Sequence, residues 1–346
     1  MRYSRVKIDA IAYELAPVVV TSAELEARLA SAYKQLGIPL GQLEPMTGIR
    51  ERRFWRPGQT MADGATTAGR KALEASNVDP ADIGVVIYAG VCRDNLEPAA
   101  ACAVSDGLGL STNCEVYDIT NACLGVLNGM VQIANAIELG HVRAGLVVSC
   151  ESARDIVDQT VEKLLADPNM ELFKASLATM TGGSSAVAVL LTSDDLTPNG
   201  RQLLGGVARS ACEHHKLCRW GPERGLLGTT PQVMVTHAID VLNNGVALGA
   251  RTYRDFVTEL DWAAQGPDKI ICHQVGSTNR DAILKALDIA PERDFSTFEY
   301  LGNIGTVSLP ITAALADQRG FLDAGDSVGF FGIGSGLNCL MLGVRW

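Results

Sequence analysis

The stretch EVYDITNACLGVLNGMVQIANAIEL, Glu115 to Leu139, decides the fold. Its first five residues, Glu115 to Ile119, read as a short buried strand rich in β-branched and aromatic side chains. From Cys123 onward the spacing turns helical: Leu124, Leu127, Val131, Ala134 and Ile137 spread widely around a helix axis until Gly140 ends the run. A helix apolar on most sides is a buried one. Strand, sharp turn and buried helix together point to an α/β fold, with central sheets covered by helices.

The same alternation continues on both sides. Candidate strands are Ile83 to Ala89, Ala144 to Ser149, Ser185 to Leu191, Lys269 to Cys272 and Ser327 to Gly332. Met61 to Ser76 reads as a helix, with Asp63 near its start and Asn77 closing it before the Asp79-Pro80 turn. The turn cluster Asp194 to Gly200 separates an N-terminal half, residues 1–195, from a C-terminal half, residues 201–346, each with its own strand and helix alternation. No sequence repeat links the halves, so any duplication is one of structure. A charged helical excursion, Asp155 to Lys174, lies within a cap insertion of about 151–182 and reads as a wall over a pocket.

Composition narrows the function. The 346 residues are 47% apolar and 20% charged, which fits a chain with a large core and excludes disorder as the main state. A net charge of −10 disfavours broad surfaces for nucleic acid or anionic lipid, and 5% aromatics disfavours base stacking. No run of about 18 apolar residues marks an integral membrane segment, and Lys7 and Asp9 interrupt the start where an export signal would need apolar residues. The nine scattered cysteines contain no C-x-x-C pair, and a cytoplasmic chain with reduced thiols is expected. Small molecules are the expected ligands.

Cys123 follows a strand and opens a helix, where unpaired N–H groups and the helix dipole favour a nucleophilic thiolate. A small buried core cysteine fits the same place, so the reading depends on its companions. His273 ends the strand Lys269 to Cys272, at the edge where α/β folds place chemistry. Asn303 stands in the turn Gly302-Asn-Ile-Gly305. The run Gly332-Ile-Gly-Ser335-Gly336 lets backbone N–H groups approach a ligand, but with no βαβ unit after it this is not a dinucleotide fingerprint.

Taken in order, N-A-C-L-G at Cys123, H-Q at His273, G-N-x-G at Asn303, G-x-G-S-G at Ser335 and T-G-I-R-E-R-R at Thr47 to Arg53 resemble the thiolase superfamily, and within it the type III beta-ketoacyl synthases. The resemblance spans essentially the whole chain. It implies a five-layered αβαβα thiolase fold of two similar halves and an obligate homodimer. It makes Cys123 the acylated nucleophile and His273 and Asn303 the donors to the second substrate's thioester oxygen. The backbone N–H groups of Cys123 and Ser335 become the oxyanion hole. These roles suit a Claisen condensation, which needs a thiolate to hold one acyl group and neutral donors to steady an enolate on the other.

Departures from the type III pattern point to a subgroup. A tryptophan for the CoA adenine is replaced by Gln42, and the usual H-Q-A-N with its carrier-protein arginine becomes His273-Gln-Val-Gly276, with Thr278 at the arginine's place. Gly332 stands where degradative thiolases carry a second catalytic cysteine. Arg93-Asp-Asn-Leu-Glu97-Pro98, Lys216 to Arg219 and Gly334 to Asn338 resemble the thiolases of bacterial head-to-head olefin biosynthesis, which join two long-chain acyl-CoAs. There a glutamate from the partner subunit, matching Glu97, is the proposed base for the α-proton; a plain loop carboxylate is the other reading.

The resemblance implies an acyltransferase with no cofactor, CoA thioesters being substrates, and it leaves open whether enzymes of a downstream pathway are partners. A malonyl-dependent synthase is the alternative, and a non-catalytic thiolase-fold partner that binds acyl thioesters is a third reading. Arg50, Arg52 and Arg53 form a basic loop that either holds the CoA phosphates or is a solvated face. Cys212, His214, His215 and Cys218 match no common zinc spacing, and no metal is expected.

Overall fold

The computed structural model describes residues 1–222 and 232–346. The chain opens with β1 (Val6–Leu15), in which Val6, Ile8, Ala10 and Ala12 alternate inward. A small lobe follows: β2 (Val18–Thr21), α1 (Ser22–Arg28), α2 (Ala30–Leu36), α3 (Leu43–Thr47) and β3 (Glu51–Phe54). Thr21 and Glu24 close a capping box on α1, satisfying two otherwise unpaired N–H groups. Next come α4 (Met61–Glu74), β4 (Ile83–Ala89), α5 (Ala100–Leu108), β5 (Glu115–Ile119), α6 (Gly125–Glu138) and β6 (Ala144–Glu151). The excursion folds as α7 (Arg154–Ala166) and α8 (Met170–Ser176) before β7 (Ser185–Ser193).

The second half runs through β8 (Arg201–Ser210), the hairpin strands β9 (Cys218–Pro222) and β10 (Gln232–Thr236), and α9 (Ala238–Glu259). It continues with β11 (Lys269–Cys272), α10 (Ser277–Leu287), α11 (Phe298–Leu301), α12 (Ser308–Gln318), β12 (Ser327–Gly334) and β13 (Asn338–Arg345). The strand order is β11-β12-β13-β8-β1-β7-β6-β4-β5. In each half the first strand pairs antiparallel with the last (β1 with β7, β8 with β13). That last strand pairs antiparallel with β6 or β12, which lies parallel to β4 or β11. The two halves therefore share this pairing pattern, except that β5 has no counterpart strand among the described residues of the second, and they join at β1 and β8.

Five layers result. The central cluster packs Leu127, Met130, Ile133 and Ala134 of α6 with Leu309, Ile311, Ala313 and Leu315 of α12, between Val147, Val187 and Val189 on one side and Phe330, Leu340 and Leu342 on the other. The outer face of the first half-sheet carries α4 and α5, and that of the second carries α9 and α10. A fourth cluster ties α1, α2, α7 and α8 into a cap, against which Trp220 and Met234 of the β9–β10 hairpin pack. Gly332 lets β12 close on α6, since a Cβ there would lie 2.6 Å from both Leu124 and Leu127. Among the described residues no helix is long and apolar enough to cross a membrane.

Arg52 corrects the reading of the basic loop. Strand periodicity in β3 turns it inward beside Phe54, where it is fully buried. Its guanidinium donates to Val20 O at 3.4 Å, Ser22 Oγ at 3.0 Å and Met180 O at 3.1 Å, so it ties the N-terminal lobe to the cap and cannot reach a CoA phosphate. Burial also lowers its pKa to about 10. Arg52→Ala should lower the unfolding free energy by about 3 kcal/mol or more, because a cavity and unpaired acceptors remain. The exposed Arg50→Ala should stay within about 0.5 kcal/mol. Denaturant titration of both variants checks this, and equal stabilities would contradict it.

Candidate active site

The turn between β5 and α6 presents Cys123. Ala122 sits at φ 45°, a left-handed conformation that costs a non-glycine residue energy and persists only where its surroundings enforce it. Here Leu124 N–H closes on Asn121 O at 2.9 Å, and Asn121 Nδ2 donates to Asn128 Oδ1 at 2.8 Å. Thr306, from the other half, accepts the Val126 N–H at 2.8 Å and so satisfies one unpaired donor of the first helical turn. The helix itself starts at Gly125, two residues beyond the cysteine. Gly334 brings the end of β12 alongside, since a Cβ at that position would lie 3.4 Å from Cys123 N.

His273 and Asn303 come from two further segments. His273 Nδ1 lies 2.8 Å from Ser308 Oγ, the first residue of α12. That hydroxyl oxygen also accepts the Gln274 N–H; with its own proton turned to Nδ1 the ring carries its hydrogen on Nε2, the tautomer that can donate to a ligand. Burial lowers the imidazole pKa to about 4, which keeps it neutral. Asn303 is fixed by its N–H to Thr181 O and by its carbonyl accepting the Gly183 N–H. Its Oδ1 accepts the Gly305 N–H at 3.1 Å, which commits the amide oxygen and leaves its NH₂ as the group for a ligand.

Two cavities meet at Cys123. One, of about 170 Å³, is lined by His273, Asn303 and Ser335 and runs between α9 and β12 past Val241, Leu242, Val246, Ile283, Phe331 and Ile333. The other, of about 790 Å³, reaches under the cap and the hairpin past Ile156, Lys163, Arg219, Trp220 and Val233. Cys123, Cys218, Asn303 and Ser335 line both. This apolar setting outweighs the helix dipole: burial, with Cys218 and Glu151 adding to it, pushes the Cys123 thiol up to about 12. At neutral pH this burial favours the Cys123 thiol, against the thiolate that a helix-start position favours.

Glu97 lines neither cavity of its own chain. It is exposed, on a segment whose neighbour Leu96 is also exposed and which leads into α5. Asp118 of β5 accepts the N–H groups of Ala100 and Ala101, which holds the segment's far end. Arg50 is exposed and Arg53 donates to Ala16 O at 3.3 Å; neither lines a cavity. Among the described residues the cations that do are Lys163 and, beside Trp220, Arg219 in the larger cavity, and Arg280, paired to Asp294, in the smaller. In the Cys212 to Cys218 run, Cys212 is exposed while Cys218 turns into the cavities, and no group of three metal-ligating residues forms among the described residues.

Residues 117–205 match the 3-oxoacyl-(acyl-carrier-protein) synthase III family and residues 258–346 match its C-terminal family. The chain is 53% identical over 349 residues to the acyl-CoA:acyl-CoA alkyltransferase of Shewanella oneidensis, and 37% identical over 347 residues to that of Xanthomonas campestris, each match covering all of both chains. Cerulenin-bound Xanthomonas campestris OleA superposes with a TM-score of 0.94 at 37% identity, covering 100% of this chain and 98% of that one. A cysteine-to-serine variant of OleA with bound lauric acid and lauroyl-CoA gives 0.93 at 37% identity, covering 99% and 100%. Full-length identity, the shared fold and a Cys–His–Asn cavity together make this chain a member of the acyl-CoA:acyl-CoA alkyltransferase family of the thiolase superfamily.

Proposed function

We propose that this acyltransferase joins two fatty acyl-CoAs head to head into a 2-alkyl-3-ketoacyl thioester, working as a homodimer. The observation that carries the proposal is the meeting of two cavities at one cysteine, because a condensation of two chains needs room for both at a single sulfur. The apolar walls suit alkyl chains. Lys163 and Arg219 are the cations that line the larger cavity and could meet a CoA phosphate.

In the first half-reaction the Cys123 sulfur bonds to the acyl carbon and the carbon–CoA sulfur bond breaks, the thiol proton leaving on CoA. The backbone N–H groups of Cys123 and Ser335 hold the tetrahedral oxygen. In the second, a carboxylate removes the α-proton of another acyl-CoA, and His273 Nε2–H with the Asn303 amide steadies the enolate oxygen. Because both donors are neutral, they stabilise charge without surrendering a proton. The α-carbon then attacks the acyl group on Cys123 and expels its sulfur, which recovers a proton. The exposure of Glu97 and its absence from both cavities of its own chain support the partner subunit's Glu97 as the base.

The raised thiol pKa gives a pH signature. Only thiolate reacts with iodoacetamide, so alkylation of Cys123 in the empty protein should rise about tenfold per pH unit from pH 7 to 9 without levelling. Peptide mass analysis follows that one cysteine, and a plateau below pH 8 would contradict the assignment.

Glu97→Ala, His273→Ala and Asn303→Ala should each still acylate at Cys123, seen as one added acyl mass, while losing condensation. For Glu97 the loss should be on the order of 10²–10⁴, the range for a positioned base. If Glu97→Ala condenses two acyl-CoAs at the parental rate, a malonyl-dependent reaction becomes the better account. Condensation at the parental rate by either other variant removes that residue from the enolate site.

A further inference from the structure

Glu151 is a buried carboxylate that the reaction above does not use. It closes β6 at 4% exposure, lines the larger cavity beside Cys123, and accepts the N–H groups of Val91 at 2.9 Å and Cys92 at 3.2 Å. Those residues are the root of the segment that carries Glu97. Asp94 fixes the same segment to the start of α4 by accepting the N–H groups of Met61 and Ala62, and Asp118 fixes its far end. Of the three carboxylates, Glu151 alone faces the cavities.

It also touches the donor side. A Cβ on Gly305 would lie 3.3 Å from Glu151 Cγ, and one on Gly90 would lie 3.3 Å from its Oε1, so the side chain fills the space between the root of the Glu97 segment and the turn that orients Asn303. From this geometry we infer that Glu151 is a positioning residue for Glu97, setting the reach of the base that each chain lends to its partner. The inference rests on the shared-site reading proposed above. Glutamine at this position keeps the shape but turns an NH₂ toward one of the two N–H donors, which releases half of the clamp at the root of a lever five residues long.

Mixed dimers test it. A Cys123→Ala chain paired with a Glu97→Ala chain has one site with both a thiol and a base. Glu151→Gln is placed first in the Cys123→Ala chain, which lends Glu97, and then in the Glu97→Ala chain, which holds the working thiol. Placement in the lending chain should reduce condensation on the order of 10- to 100-fold, the scale of a misplaced reacting group, and markedly more than placement in the thiol chain. Acylation of Cys123 should persist. Equal loss in both placements, loss confined to the thiol chain, or no loss overturns the inference. If the parental mixed dimer is itself inactive, the shared site is wrong and the inference falls with it. Should Glu151→Gln fail to fold, Glu151→Asp, which keeps the carboxylate but shortens its reach to the Val91 and Cys92 N–H groups, is read in the same two placements.

Discussion

The buried layer of α6 against α12 is the constraint on which the site depends. Every residue of α12 from Ser308 to Ala316 is buried, and α6, which turns Gln132 and Asn135 outward, packs its apolar side on strands of its own half while meeting β12 of the other. Pressing the halves together places the start of each helix at a common point. The start of α6 brings Cys123 and that of α12 brings Ser308, while the turn just before α12 brings Asn303 and Thr306. The left-handed Ala122 is held there by contacts from both halves, which is why strain at that turn is tolerated.

Electrostatics follows from the same burial. A low-dielectric setting disfavours charge on the thiol and on the imidazole, so both rest neutral, and charge appears only when substrate oxygen is there to carry it. Glu151 lies in the same environment. Burial raises its pKa, against which two backbone N–H groups pull, and it thus remains a hydrogen-bonded fixture of the wall.

Much of this was legible in the sequence because strands ended by small residues and followed by apolar helices leave a clear pattern. The strands before Cys123 and before His273 fall at the residues read from the pattern, and the α/β class follows from them, while the two similar halves were implied by the family resemblance. The strands β1 and β8, which join the halves, and β13 were not read. In β1 Lys7, Asp9 and Glu14 interrupt the apolar run, and β8 carries Gly205-Gly206, so both look like loops until paired. Arg52 was misjudged as part of a charge cluster, although alternation with Phe54 placed it on the inner face. Ser308 is invisible to local reasoning because its partner His273 lies 35 residues away. Glu151 left one signal, a lone acid closing an eight-residue strand buried throughout. The ionisation state of Cys123 depends on desolvation, which a helix-start position alone does not report.

The head-to-head condensation itself is tested most directly by product mass. Purified protein is given a single long-chain acyl-CoA, with and without isotopically labelled malonyl-CoA. The account predicts a 2-alkyl-3-ketoacyl product containing both acyl chains and no malonyl carbon, formed equally in the two reactions. A product that appears only with malonyl-CoA and carries its label would contradict it.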